Sequence, residues 1–250
     1  MPDVELKPQV YKDPRPKEYF DRFHERSRTR DPNFMYEVVH VLTTLHALIS
    51  YRARSIGTEN VPMGPVILAP NHASFMDHFF TAAFIRRRVR FMAKSQMFKP
   101  PFGPLVYSPG GVFPVRRGHH DEEAFLTSFE VLGRDGAVVI YCEGGRSRGQ
   151  GLAKTAKPGI GRLALQTGVP VVPVAILGSD QVRNWKRLQF PRVTVEYGTP
   201  FKFERVEDPT REQQQETADF IFAKIKELHG ELSRLGHRDA LRRAHRAAPR

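Results

Sequence analysis

Short apolar runs alternate with helical stretches along most of the chain from Tyr51 onward. Residues 66–69 and 137–142 are apolar throughout, which is typical of strands that are buried on both faces of a sheet. Residues 158–168 instead have helical periodicity and end at a glycine. This alternation predicts an α/β fold with a single mostly parallel or mixed sheet that is flanked by helices. The predicted strands are residues 66–69, 89–93, 111–115, 137–142, 169–177 and 193–197, and the predicted helices are residues 77–87, 121–133, 158–168 and 211–229.

The N-terminal part of the chain has a different character. Residues 1–30 are polar and rich in proline, and we expect an extended arm that ends in a short helix. Asp31 and Pro32 have the form of a helix start, with an N-cap residue before a proline in the first turn. The segment that follows predicts an amphipathic helix up to Ser50, able to lie on a core or on a lipid interface. Its apolar face comprises Val38, Val39, Leu42, Leu45 and Ile49.

Three segments are therefore predicted. Residues 1–50 form an N-terminal arm with a membrane-associating helix, residues 51–230 form the α/β domain, and residues 231–250 form a basic tail. Arginine recurs every four residues in the tail, from Arg234 to Arg250. If the tail is helical, these arginines form a basic stripe that suits acidic lipid head groups. A solvated, frayed tail stays open as the alternative.

The chain carries a formal net charge of +12. Such a surplus attracts anions, including nucleic acid, phosphorylated metabolites, acidic carriers and anionic lipid. The basic residues are clustered rather than dispersed. The clusters are Arg86, Arg87, Arg88, Arg90 and Lys94; Arg146, Arg148, Lys154 and Lys157; and Arg183, Lys186, Arg187 and Arg192.

The sequence shows neither a secretory signal nor a membrane-spanning run. Its longest apolar stretch, residues 34–50, is interrupted by Glu37 and two histidines and would be about 25 Å long as a helix, too short to cross a bilayer comfortably. The single cysteine, Cys142, excludes an internal disulfide and suits a reducing compartment. Because no histidine neighbours Cys142 in sequence, we interpret it as a small buried hydrophobe rather than a nucleophile.

A histidine and a carboxylate follow the first predicted strand. His72 comes after Asn71 at the end of the strand, and Asp77 lies five residues on, near the start of a predicted helix. A loop of this length allows the carboxylate to accept a hydrogen bond from one ring nitrogen. That bond fixes the tautomer and leaves the other nitrogen free to act as a base.

Two further loops after predicted strands carry groups that suit an anion. Arg116 and Arg117 follow residues 113–115, and a guanidinium such as that of Arg116 binds phosphate in a bidentate manner. In residues 141–147, two glycines free backbone N–H groups to cradle an anion and Arg146 adds charge. Glu143 is placed either to orient Arg116 or to hydrogen-bond the hydroxyl of an acceptor.

Together with residues 169–174, which read Val-Pro-Val-Val-Pro-Val, these three segments resemble, in the same order, the four motifs of the glycerolipid acyltransferase family, which includes lysophosphatidic acid and glycerol-3-phosphate acyltransferases. The resemblance runs from about Ile56 to Pro200. It implies that His72 is the general base and that Asp77 orients it. The residues it assigns to the phosphate of the acceptor are Arg116, Glu143, Gly144, Gly145, Arg146 and Ser147. The residues it assigns to supporting roles are Asn71, Lys94, Pro170 and Pro173, with the two prolines on the acyl side.

The resemblance implies an enzyme of phospholipid biosynthesis that acylates a hydroxyl of a glycerol-phosphate lipid, with 1-acylglycerol-3-phosphate as the first choice. It also implies a donor that is acyl-CoA or acyl-ACP and a reaction that needs no metal or cofactor. The helix of residues 34–50 and the net charge predict peripheral binding to the anionic cytoplasmic face of a membrane. Glycerol 3-phosphate or another lysolipid stays open as the acceptor. The third family motif usually reads Glu-Gly-Thr-Arg, and Gly145 here replaces the threonine, which puts the identity of the acceptor in question.

Two other functions are weighed against this one. Residues 145–149 match G-x-S-x-G, the pattern of a serine hydrolase with Ser147 as nucleophile, but the loop continues where a helix should start. The high charge also fits a basic protein that binds nucleic acid or membrane without catalysis, although RNA-binding signatures are absent. His119 and His120 are adjacent and lack a third ligand, so no metal site is predicted.

Overall fold

The structure is a computed structural model of the chain, and it describes residues 13–116, 121–147, 151–181, 184 and 186–247. Several residues singled out in the sequence lie outside the described residues. They are Arg117, His119, His120, Arg148, Gly149, Arg183 and Arg250.

Seven strands form one mixed sheet in the order β1-β7-β6-β2-β5-β3-β4. The strands are β1 Arg54–Ile56, β2 Val66–Pro70, β3 Arg90–Lys94, β4 Val112–Val115, β5 Ala137–Val139, β6 Val171–Leu177 and β7 Thr194–Tyr197. Five of them, β2 to β6, run parallel to one another, whereas β7 pairs antiparallel with β6 and β1 pairs parallel with β7. The predicted fold class, a mixed α/β sheet flanked by helices, is confirmed.

Helices cover both faces of the sheet. They are α1 Glu18–Thr29, α2 Phe34–Ser50, α3 Asp77–Ala83, α4 Glu122–Gly133, α5 Gly159–Thr167 and α6 Arg211–Ala247. Alternate residues of β2 face the two sides of the sheet. Val66 and Leu68 pack with α2 and α3 on one side, whereas Ile67 and Ala69 pack with α4, α5 and α6 on the other. All five residues of β2 are buried, as expected for a strand in the middle of a parallel sheet.

Several elements differ from the sequence prediction: β1 was not predicted, β5 ends at Val139 rather than at residue 142, and three helices have other bounds or caps. The N-cap of α2 is Asn33, whose side chain accepts a hydrogen bond from the amide of Met35, while the expected cap, Asp31, pairs with Arg90 at 3.0 Å instead. Helix α3 ends at Ala83 rather than residue 87. Helix α6 continues well beyond residue 229 to Ala247, with a break at Gly236, because Leu232 and later residues extend its buried face against β6.

Helix α2 lies on the protein with its more polar side inward. The Nε2 atom of His40 is 3.1 Å from the carbonyl oxygen of Ala82, and the Thr44 hydroxyl donates to the carbonyl of Ala83 at 3.4 Å. The apolar side chains face away from the protein: Phe34, Val38, Val41, Leu42, Leu45, Leu48 and Ile49 are all exposed. We call these seven residues the outer face of α2. No helix in the described ranges combines the length and apolar character that a bilayer crossing requires.

Candidate active site

Most of the residues singled out in the sequence gather at one edge of the sheet. His72 follows β2, Lys94 ends β3, Arg116 follows β4, and residues 143–147 follow β5. Because these strands are parallel, their carboxyl ends share one edge, which is where sites form in such sheets. The two prolines lie elsewhere. Pro170 precedes β6 at the opposite edge, and Pro173 lies within β6 beside Ala69.

The imidazole of His72 and the carboxylate of Asp77 are in contact. His72 Nδ1 lies 3.0 Å from Asp77 Oδ2, and both side chains are buried. The same oxygen accepts hydrogen bonds from the backbone amides of Ala73 and Ser74, each at 2.7 Å. Three N–H donors therefore fix the carboxylate, and its bond to Nδ1 leaves Nε2 of His72 as the nitrogen that can accept a proton.

The backbone of His72 is held from the loop after β5. Its amide donates to Glu143 Oε1 at 2.7 Å, and its carbonyl accepts from the amide of Ser147 at 2.8 Å. The other carboxylate oxygen of Glu143 accepts from the amide of Ala153 at 3.1 Å. Burial raises the pKa of Glu143, and these amide hydrogen bonds oppose that shift. The described hydrogen bonds of Glu143 thus tie two loops together and do not reach Arg116.

Asn71 extends the pairing of β2 with β6 by one residue. Its side-chain amide donates to the carbonyl of Ile176 at 3.1 Å and accepts from the amide of the same residue at 2.7 Å. The side chain of Asn71 thus makes the two hydrogen bonds that a backbone residue of a strand would make, at the point where the chain leaves the sheet. The next residue, His72, starts from a rigid position.

Two aromatic residues that the sequence analysis did not single out flank His72. The ring of Tyr141 stacks on the imidazole with centroids 4.0 Å apart, and His78 stacks on it with centroids 5.1 Å apart. The Tyr141 hydroxyl and His78 Nδ1 are 2.6 Å apart. Burial, with a contribution from the charge of Asp77, raises the pKa of Tyr141 well above its ordinary value, so its hydroxyl stays protonated. Only the position of Tyr141, directly before the Cys-Glu-Gly motif, could have pointed to it.

The groups predicted to bind phosphate differ in their exposure and in the hydrogen bonds that they already make. Arg116 is half-buried, and its Nε atom is buried without a hydrogen-bond partner in the described part of the chain. Arg146 is exposed. The amides of Gly144 and Ser147 already donate to the carbonyls of Tyr141 and His72. Among the amides of residues 144–147, those of Gly145 and Arg146 therefore have no acceptor in the described part of the chain.

An apolar cavity of about 130 Å³ lies beneath α2, near the loop that carries His72. Side chains of α2, α3 and β3 line its walls, among them Val39, Phe79 and Phe91. Phe75 and His78 also line it, and His78 is the residue that stacks on His72. His78 is therefore the described residue that lies between this cavity and the imidazole of His72.

The local structure around Ser147 and Cys142 does not suit a nucleophile. β5 ends at Val139 and, among the described residues, the next helix begins at Gly159, so Ser147 does not lie on a strand-to-helix elbow. Burial raises the pKa of the Cys142 thiol well above its ordinary value, which leaves it protonated and inert. Within the described ranges, no group of three or more metal-binding side chains is arranged around one point.

Comparison with known proteins agrees with this geometry. Residues 52–177, half of the chain, match a family model described as Acyltransferase. Two relatives are named 1-acyl-sn-glycerol-3-phosphate acyltransferase. The chloroplastic BAT2 protein of Brassica napus is 29% identical over 151 residues, which cover 57% of this chain and 43% of that protein. The protein of Escherichia coli (strain K12) is 28% identical over 182 residues, which cover 70% of this chain and 73% of that protein.

The fold is also that of a solved structure, the 1-acyl-sn-glycerophosphate (LPA) acyltransferase PlsC from Thermotoga maritima. The TM-score is 0.58 at 22% sequence identity, over 84% of this chain and 88% of that one. The match to the plant protein spans less than half of that protein's length. The family model, together with the order of the motifs, establishes that the chain belongs to the acyltransferase family.

Proposed function

We propose that the chain transfers a fatty acyl group from a thioester, acyl-CoA or acyl carrier protein, to a hydroxyl of a glycerol-phosphate lipid precursor in phospholipid synthesis. 1-Acylglycerol-3-phosphate is the proposed acceptor, since relatives from several organisms bear that name. The observation that carries the proposal is the contact of 3.0 Å between His72 Nδ1 and Asp77 Oδ2 at the carboxyl edge of the sheet.

The reaction needs one base and no covalent enzyme intermediate. Nε2 of His72 removes the proton from the hydroxyl of the acceptor while the oxygen attacks the carbonyl carbon of the thioester. The tetrahedral intermediate then collapses, the C–S bond breaks, and the proton on the imidazolium passes to the departing thiolate. Asp77 stabilises the imidazolium between these two steps.

The apolar cavity is the proposed place of the acyl chain. Its walls are apolar side chains, and His78 joins it to the face of His72. A fatty acyl chain removed from water there gains about 0.8 kcal/mol per buried CH₂ group. A chain in the cavity places its carbonyl end beside the imidazole, where the hydroxyl of the acceptor must also lie.

Arg116 and Arg146 are the proposed ligands of the acceptor's phosphate. For Arg116→Ala we expect the KM for the acceptor to rise about tenfold, the value of one lost charge-assisted hydrogen bond, with kcat little changed. Steady-state kinetics with varied acceptor measure both quantities, and Arg205→Ala, which removes an exposed arginine elsewhere, is the control. A fall in kcat with an unchanged KM would argue against a role of Arg116 in binding.

The loop after β5 has room for the threonine that the family motif usually carries. A Cβ atom at Gly145 would meet no atom within 4 Å, whereas one at Gly144, where φ is +65°, would lie 2.8 Å from the Lys157 side chain. We therefore expect Gly145→Thr to change the free energy of unfolding by less than about 0.5 kcal/mol and to retain activity. Gly144→Thr should be clearly less stable, and denaturant unfolding of the pair tests the contrast. Equal destabilisation by the two substitutions would contradict it.

We propose that the outer face of α2 rests in the surface of an anionic membrane, on the cytoplasmic side. Its seven exposed apolar residues lie on a helix whose polar side chains bond to the protein, and the chain has a net charge of +12.

The outer face can be tested with vesicles that contain phosphatidylglycerol. We expect Leu42→Asp/Leu45→Asp to lower the partition coefficient about 100-fold in cosedimentation, because two leucines contribute about 3 kcal/mol of burial. The exposed Leu126 of α4 provides the control variant Leu126→Asp, which should bind like the wild type. Equal binding by the wild type and both variants would contradict the proposal that α2 contacts the membrane.

The acyl transfer itself is tested by release of thiol from acyl-CoA. The assay compares 1-acylglycerol-3-phosphate, glycerol 3-phosphate and lysolipids that lack a free phosphomonoester. We expect release that depends on the acceptor and is fastest with 1-acylglycerol-3-phosphate. Release at the same rate without any acceptor would indicate thioester hydrolysis and overturn the proposal.

A further inference from the structure

A second basic site lies at the carboxyl edge of the sheet, away from the motifs described above. Four arginines surround a pocket of about 220 Å³ between the start of β1, the start of β7 and the C-terminal half of α6. Thr194 and His237 complete the polar lining, with the hydroxyl and Nδ1 2.8 Å apart. The four arginines are Arg52, Arg54, Arg192 and Arg238.

The arginines of this pocket lack acidic partners within the described part of the chain. Among the described residues, no carboxylate forms an ion pair with any of the four arginines, whereas Arg28 pairs with Glu123 and Arg162 pairs with Glu122 elsewhere in the protein. The partners that are present are carbonyls: Arg52 donates to Phe190 and Arg54 donates to Ala53. Guanidinium groups gathered in this way repel one another unless an anion lies between them.

The position of the pocket relates it to the active site. β7 is two strands from β2 and β1 is three strands from it, so at about 4.8 Å per strand the pocket lies about 10 to 15 Å along the edge from His72. Gly178, at the end of β6, lies between them. A Cβ atom at Gly178 would come within 2.1 Å of the carbonyl oxygen of Arg192, so glycine allows these two backbone segments to pack closely beside the pocket.

The pocket also adjoins the outer face of α2. Arg52 is three residues beyond Ile49, which is 75% exposed, and the carbonyl partner of Arg52 is two residues from the exposed Leu188. A cationic pocket beside an apolar face is placed at the level where the phosphates of a lipid surface would lie.

We propose that the pocket of Arg52, Arg54, Arg192 and Arg238 binds phosphate groups of an organic phosphate ester. Two sources share this chemistry: the nucleotide phosphates of coenzyme A, whose thioester end would reach His72, and the head group of an anionic lipid. The first source rests on the proposed thioester reaction, whereas the second does not. Guanidinium groups suit either because they bind phosphate oxygens in pairs.

Binding of the two sources is measured separately and without turnover. The wild type is compared with Arg52→Gln/Arg192→Gln and with Arg205→Gln/Arg211→Gln, a control pair that loses the same charge from exposed positions elsewhere. One arm titrates coenzyme A and adenosine 3′,5′-bisphosphate by calorimetry, and the other measures cosedimentation with phosphatidylcholine vesicles with and without phosphatidylglycerol. Thermal unfolding verifies that all three proteins are folded.

We expect the pocket variant to bind at least one probe about tenfold more weakly than the control pair. Loss confined to coenzyme A and the bisphosphate identifies the nucleotide as the source, and loss confined to anionic vesicles identifies the lipid head group. If the pocket variant matches the control pair in both arms, the proposal is overturned. Because no arm requires acyl transfer, a failure of the acyltransferase proposal would show in the thiol-release assay and leave this result standing.

Discussion

The His72→Ala variant is expected to lose acyl transfer by a factor on the order of 10² to 10⁴ in kcat, the usual contribution of a positioned general base. The variant lacks the base that the proposed mechanism assigns to the proton of the acceptor's hydroxyl. The KM for the acceptor should change little, since the proposed phosphate ligands are on other loops. A wild-type-like kcat in this variant would defeat the assignment.

The stability of the variant separates a chemical effect from a structural one. The imidazole is buried and stacks on Tyr141, so its removal should cost about 1 to 3 kcal/mol in the free energy of unfolding. Asp77 keeps its two backbone amide donors, which hold the loop in place. Circular dichroism and denaturant unfolding monitor this, and His245→Ala, which removes an exposed histidine of α6, is the matched control for the kinetics.

Asp77→Asn should lower kcat by a factor on the order of 10 to 10³. The backbone amides of Ala73 and Ser74 point at the Oδ2 position, so the oxygen of the new amide takes that place and the NH₂ group takes the other. The bond to His72 Nδ1 is then retained, but the negative charge beside the imidazolium is gone. An opposite charge at this distance changes the stability of a charged group by about 1.4 to 4 kcal/mol, which sets the expected range.

A second variant, Asp77→Ala, separates the effect of the carboxylate's charge from the effect of its hydrogen bonds. Asp77→Ala removes both the charge and the acceptor for the two amides, so it should lose more activity than Asp77→Asn and should unfold more readily. Thiol release at saturating acceptor gives kcat for each variant. Equal activity of Asp77→Asn and the wild type would show that the carboxylate does not stabilise the imidazolium.

The part of the site that could be predicted from the sequence is the part set by local spacing and by strand ends. Asp77 lies five positions after His72, and a loop of that length at a helix start brings the two side chains together. Arg116 and Arg146 could be placed at the same edge because each follows a strand, and parallel strands end together. None of this required knowledge of a distant contact.

The rest depends on contacts between distant segments. The amides that bind the Glu143 carboxylate belong to His72 and Ala153, and no pattern in the sequence indicates which side-chain acceptor a backbone donor will choose. Tyr141 lies in the apolar run of residues 137–142, which predicts a buried strand. Its stacking on His72 is visible only in three dimensions. The orientation of α2 was equally hidden, because an amphipathic pattern is the same whether its apolar side faces a core or the surroundings.

Side chains of α2 contact the C-terminal end of α3, the helix that begins with Asp77. His40 and Thr44 contact the carbonyl oxygens of Ala82 and Ala83 at the end of α3, a helix of only seven residues and about 10 Å. A movement of α2 away from the protein would remove both contacts from the end of α3, although the carbonyl of Ala82 would still accept from the amide of Ile85. Asp77 lies at the other end of α3, so its carboxylate is connected through about two turns of helix to α2 and its exposed outer face.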